Sequence, residues 1–375
     1  MISTLHLILA AGTFVYGSVI GSFLNVCIYR IPWEKSVVWP ESRCPRCLAP
    51  IRKGDNVPIL GWILLRGRCR NCALPISARY PAIEALTGLL CVAVYLVDVV
   101  LDPHSFWMPT EVFPRVLYHQ ILISLLIVAT FIDYDHYLIP DAVTVTGMVL
   151  GIGLAAIFPE VRPEPASATT AFGALLPPLE AAPAGFAIGF LVQAVLDLAL
   201  LRRPGRLGLG LFGAFVGWQA ALRTGTAPWG SVVVGVECLL IGGAIVWAIR
   251  VVGSILLRKE AMGFGDVTLM AMIGSFVGWQ PLPMVLFLGA MLGLVHALLR
   301  FFAIVLRWLR GGKFGGALRP IPFGPYLSLA AIVLLLGWPW IWTKWAAGYY
   351  RTVGVVSSEM WTLGMELWTG RGRLR

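Results

Sequence analysis

Six side chains in this sequence carry most of the chemistry its residue types allow. Two are aspartates. Asp133 lies in Phe131–Asp141, FIDYDHYLIPD, directly after the apolar run Ile121–Ile132. Asp266 closes Gly263-Phe264-Gly265-Asp266. A carboxylate at the end of a membrane helix is costly and marks a functional site by default. Peptide hydrolysis without a metal or a covalent nucleophile needs a base to activate water and an acid for the leaving amine. Two carboxylates a few ångströms apart do both, because they cannot both ionise there and share one proton. The glycines at 263 and 265 would allow close backbone approach and a flexible helix entry. Asp135 and His136 flank Asp133 and are candidate supporting residues with Gly263 and Gly265; interfacial water is their simpler setting. Asp141, between Pro140 and an apolar run, reads as a helix cap.

The other four are Cys44, Cys47, Cys69 and Cys72, two CxxC pairs with 21 residues between them. That spacing resembles a zinc ribbon. Four thiolates make a closed tetrahedral site, structural rather than catalytic. Two disulfides are the competing pairing, disfavoured on the reducing side of a membrane. The segment around them is too small to build a sufficient core, so metal binding would supply folding energy.

The rest of the chain must position these groups. Of 375 residues, 58% are hydrophobic and 13% charged, with mean hydropathy +0.81. The apolar runs are continuous rather than alternating, which selects helices over a barrel. The expected fold is an all-α polytopic membrane protein with about 9–10 transmembrane helices and a small zinc-ribbon-like loop module. The net charge of +10 falls between the apolar segments, marking cytoplasmic loops rather than nucleic-acid binding.

Residues 1–29 hold the first span, an uncleaved helix with its N-terminus outward. Segment 30–79 carries ten Lys/Arg against three acids and reads as the cytoplasmic zinc-binding module. Residues 80–345 form the helical core, and 346–375 a tail of unknown role. Spans are expected near 82–102, 117–133, 142–158, 185–201, 207–222, 231–250, 267–279, 284–306 and 323–341. Four crossings then separate the two aspartates, which places them on one side. Phe215-Val216-Gly217-Trp218-Gln219 recurs as Phe276-Val277-Gly278-Trp279-Gln280, so an inserted, duplicated helix pair is expected at about 155–225. That copy has Leu211 where the other has Asp266 and should be structural.

Several stretches together resemble the type IV prepilin peptidase family of GxGD-type membrane aspartyl proteases. They are Gly21–Pro32 (GSFLNVCIYRIP), the CxxC pairs, Ile76–Glu84 (ISARYPAIE), Phe131–Asp141, Glu260–Asp266 (EAMGFGD) and Pro322–Pro325 (PFGP), in the family's order. The resemblance implies that Asp133 and Asp266 are the catalytic pair and that Cys44, Cys47, Cys69 and Cys72 bind zinc. It implies a multi-pass protein of the bacterial inner membrane whose active site faces the cytoplasm. Its substrates would be type IV prepilins and type II secretion pseudopilins, cut after a glycine that ends a short basic leader. Many members also N-methylate the new N-terminus with S-adenosylmethionine, and this sequence leaves that second activity open; it has no glycine-rich dinucleotide fingerprint. The chain departs from the family at Thr268, where lysine is usual, and in the long separation of its aspartates. A non-enzymatic scaffold for pilus or secretion assembly is the alternative, and a proton-relay transporter a weaker one.

Overall fold

The structure is a computed structural model and describes residues 4–101, 109–158, 161, 227–260, 262–310 and 321–341. The expected duplicated pair, its repeat at 215–219 and the tail beyond 341 lie outside the described residues.

Among the described residues, nine α-helices follow one another. They are α1 Thr4–Arg30, α2 Leu60–Leu64, α3 Arg79–Tyr95, α4 Pro109–His136, α5 Asp141–Ile157, α6 Ala227–Leu257, α7 Phe264–Val277, α8 Leu282–Leu309 and α9 Gly324–Ile341. No strand occurs among the described residues beyond isolated bridges at Arg43–Pro50 and Arg68–Pro75. Among the described residues, five spans are long and apolar enough to cross a membrane: Thr4–Trp33, Arg79–Val100, Val112–His136, Val234–Leu257 and Leu282–Leu306. Three shorter apolar helices, Asp141–Ile157, Phe264–Val277 and Gly324–Gly337, pack among them. The chain is a multi-pass helical membrane protein. Its large exposed side chains, such as Phe287, Leu299 and Phe302 on α8, suit contact with lipid tails.

Helix α7 is the centre. At 14 residues it is about 21 Å long, shorter than a bilayer core. Eleven of its residues, Asp266 to Val277 except Thr268, are buried. A helix apolar on every side belongs inside a bundle. It packs against α5, α6 and α9 and touches α4. Tyr118 of α4 fastens the far end: its hydroxyl lies 3.0 Å from the Gly151 carbonyl and 3.2 Å from that of Ser275.

Small residues bring α1 and α3 together. A Cβ on Gly17 would sit 2.8 Å from the Cβ of Cys91, and one on Gly21 2.8 Å from the Cα of Glu84. This is the small-xxx-small contact of membrane helices. After α3 the chain makes a π turn, Leu96–Val100, which buries Asp98 against His119 of α4 with 2.7 Å between Oδ2 and Nδ1.

Helix α5 corrects one expectation. Its N-cap is Pro140, with extended backbone, and Asp141 is the first helical residue rather than the cap. Its negative charge still suits the first turn.

Candidate active site and metal centre

Asp133 ends up buried at the last turn of α4, 6% exposed. Helix α4 stops just beyond it: Tyr137 takes a left-handed φ of 54° and donates its N–H to the Asp133 carbonyl at 2.8 Å. Asp266 lies in the first turn of α7, 8% exposed. Its segment enters through Gly263, the extended N-cap residue.

The two meet at one end of the bundle. Their segments converge on Ile139, which Gly265 beside Asp266 and Gly324 against Asp133 both border. The N–H of Gly324, at the start of α9, donates to Oδ2 of Asp133 at 3.0 Å. Ile139, from the α4–α5 connection, stands between Gly265 and Gly324. A Cβ on Gly265 would stand 2.9 Å from the Ile139 Cβ, and one on Gly324 would stand 2.9 Å from its Cδ1. Gly265 and Gly324 are thus both filled against the same buried isoleucine.

Neither Gly263 nor Gly265 takes a positive φ, so neither uses the conformational freedom expected of it. Ile139 approaches Gly265 closely enough that a side chain there would clash. Gly263 faces Asp266, with 3.7 Å from the position of its missing Cβ to Oδ2. Thr268, where lysine was expected, turns its hydroxyl back to the Gly265 carbonyl at 3.0 Å.

Asp135 and His136 are exposed on the rim. Asp135 is paired with Arg79 of α3 at 2.7 Å. His136 meets the Trp33 ring edge-on, 5.8 Å between centroids. The contacts of Arg79, Ile139 and Gly324 were not legible in the sequence. The available signal for Gly324 was the PFGP motif, whose glycine opens α9.

The metal centre is separate. Cys44, Cys47, Cys69 and Cys72 hold their sulfur atoms within 4.8 Å of one another. Cys44 and Cys72, and Cys47 and Cys69, are each 4.0 Å apart. A Zn–S bond of about 2.3 Å gives a tetrahedron with edges of about 3.8 Å. The residues therefore fit a four-thiolate zinc ion. The two halves are built alike. Cys44 N–H donates to Ala49 and Leu48 N–H to Cys44, while Cys69 N–H donates to Leu74 and Ala73 N–H to Cys69, all at 2.9 Å. Leu48 and Ala73 both turn through left-handed backbone, φ 58° and 57°. Main-chain N–H groups near each knuckle, chiefly that of Ala49 for Cys47 and that of Cys72 for Cys69, hold those two thiols below the ordinary range. That favours thiolates at Cys47 and Cys69, whereas burial and the neighbouring thiols push Cys72 up to about 11.

Two contacts secure the module. Asp55 grips Arg70 with two bonds of 2.6 and 2.8 Å. The buried Glu84 carboxylate of α3 accepts the Ile59 N–H at 2.7 Å, docking the module on the bundle.

Residues 15–97 match the Bacterial Peptidase A24 N-terminal domain, and residues 120–224 and 184–298 match the Type IV leader peptidase family. The chain belongs to this family of peptidases. It is 31% identical over 356 residues to the prepilin leader peptidase/N-methyltransferase of Aeromonas hydrophila, covering 88% of this chain and 91% of that one. To the protein of that same name in Myxococcus xanthus it is 33% identical over 290 residues, spanning 77% of this chain but 62% of the relative. It is 30% identical over 339 residues to the type 4 prepilin-like proteins leader peptide-processing enzyme of Escherichia coli, covering 86% and 91%. No solved structure gives a significant match.

Proposed function

We propose that the protein is an aspartyl endopeptidase that removes the short basic leader of type IV prepilins or type II secretion pseudopilins at the cytoplasmic face of the inner membrane. The observation that supports this reading is that the segments carrying two buried carboxylates, Asp133 and Asp266, converge on Ile139 at one end of the bundle.

A buried pair holds one proton between its members. The ionised member takes a proton from water as the oxygen attacks the scissile carbonyl. The protonated member gives its proton to the carbonyl oxygen. The tetrahedral intermediate then collapses as the first carboxyl returns its proton to the leaving nitrogen, and the second recovers one from the intermediate's hydroxyl. The pair ends with one proton, as it began. Gly324 holds one oxygen of Asp133 from its backbone N–H, which leaves Oδ1 for water. The position of the pair at a helix end suits a substrate whose basic leader stays in water and whose apolar segment enters the bilayer.

The four cysteines would hold a structural zinc, which supplies folding energy to the module rather than chemistry to the aspartates. N-methylation of the new N-terminus with S-adenosylmethionine is the second activity we propose, on the names of the relatives alone.

Incubation of the purified protein with a prepilin, with and without S-adenosylmethionine, tests both. Mass spectrometry should show loss of the leader in each case and a further gain of one methyl group only with the cofactor. An uncut prepilin would remove the peptidase reading and leave a scaffold role. Cleavage without added mass would remove the transferase alone.

A further inference from the structure

The two aspartate segments are built to the same plan. Each aspartate follows a phenylalanine by two residues, Phe131 before Asp133 and Phe264 before Asp266. Each phenylalanine lies under an arginine from a different helix. The Arg79 guanidinium of α3 stands 4.9 Å from the Phe131 ring centroid, and that of Arg250 in α6 5.7 Å from that of Phe264. Each arginine also donates to a main-chain carbonyl of the segment it covers, Arg79 to Phe131 at 3.5 Å and Arg250 to Met262 at 3.0 Å. Each meets an acid there too: Arg79 pairs with Asp135 at 2.7 Å, and Arg250 with Glu260 at 3.7 Å.

Both aspartates occupy terminal turns, the last of α4 and the first of α7, where helices fray. A carboxylate pair works only at a defined separation, and a displacement of about 1 Å can cost about a hundredfold in rate. Something outside those turns must hold them. Arginine suits the task, because its planar fork can stack on a ring and still donate in its own plane.

We propose that Arg79 and Arg250 are a matched pair of clamps, positioning residues that hold the Asp133 and Asp266 segments at their working separation. This rests on the reading that the two aspartates are catalytic. The clamps differ in one respect. Asp135 is bound by both terminal guanidinium nitrogens at 2.7–2.8 Å, whereas Glu260 is 85% exposed and 3.7 Å away. Asp135 therefore belongs to its clamp, and Glu260 is dispensable.

The test uses the full-length protein in lipid with a prepilin substrate, measuring kcat and KM together with melting temperature. Arg79→Gln and Arg250→Gln should each lower kcat by about tenfold or more, with KM within about twofold and melting unchanged. Asp135→Asn should match Arg79→Gln, and Glu260→Gln should match the native protein. Arg79→Lys and Arg250→Lys should recover part of the loss, since an ammonium keeps the charge but not the fork. Should a glutamine variant fail to fold, its lysine form decides: native kcat there overturns the clamp. Native kcat in both glutamine variants, or a loss confined to KM, also overturns it. Asp133→Asn in parallel separates the two failures, since normal cleavage by that variant removes the aspartyl reading itself.

Discussion

The N–H of Gly324 reaches Oδ2 of Asp133 at 3.0 Å across 191 residues of chain. A Cβ at that glycine would stand 2.6 Å from the same oxygen. The smallest added side chain therefore displaces the carboxylate. Gly324→Ala should lower the rate of leader cleavage by about a hundredfold while the protein still inserts and binds metal. Steady-state cleavage, normalised to folded protein, checks this; native activity would show that the contact does not position Asp133.

Metal removal should act on folding rather than on the aspartates. The module's exposed, loop-rich chain is held by four sulfurs, the Asp55–Arg70 pair and the Glu84 contact. Replacing all four cysteines with serine should lower the yield of folded protein sharply. Elemental analysis beside size-exclusion chromatography measures both quantities, and a metal-free variant with full yield would contradict the structural role.

Leu48 and Ala73 hold left-handed backbone that glycine adopts without penalty. Ala73→Gly should stabilise the module by about 0.5–1 kcal/mol, and Leu48→Gly similarly. Resistance to chelator-driven unfolding reports the change; weaker resistance in both would mean that the turn carries no strain.

The Asp55 carboxyl is held below the ordinary carboxylate range, first by its hydrogen bond from Arg70. Its folded-state pKa is depressed, so its stabilisation is present above the unfolded value of about 3.9 and fades as pH falls through the lower folded one. Asp55→Asn should therefore lose stability at neutral pH and converge with the native protein in acid. Unfolding midpoints across that range test the sign; parallel curves would leave the pair without a role.

Much of this was legible in the sequence for a simple reason. Long apolar runs between basic loops report helices directly, and CxxC pairs report a thiolate site through spacing alone. Asp133 and Asp266 stood out because charge is costly in apolar surroundings. The contacts that position them were not legible, because they join segments far apart in the chain. Ile139 reads as one more apolar residue until Gly265 and Gly324 are seen on either side of it. Arg79 and Arg250 read as loop charges until their rings and carbonyls are known. Asp141 was misplaced by one residue because the extended backbone needed at an N-cap is supplied by Pro140.

The pairing of Asp133 with Asp266 is tested most directly by the rates of Asp133→Asn, Asp266→Asn and the double variant on one prepilin, each in lipid and normalised to folded protein. Groups that act as a unit are strongly non-additive. Each single variant should lose leader cleavage nearly completely, and the double variant should lose no more than either. Native cleavage by either single variant would contradict a shared role for the two carboxylates.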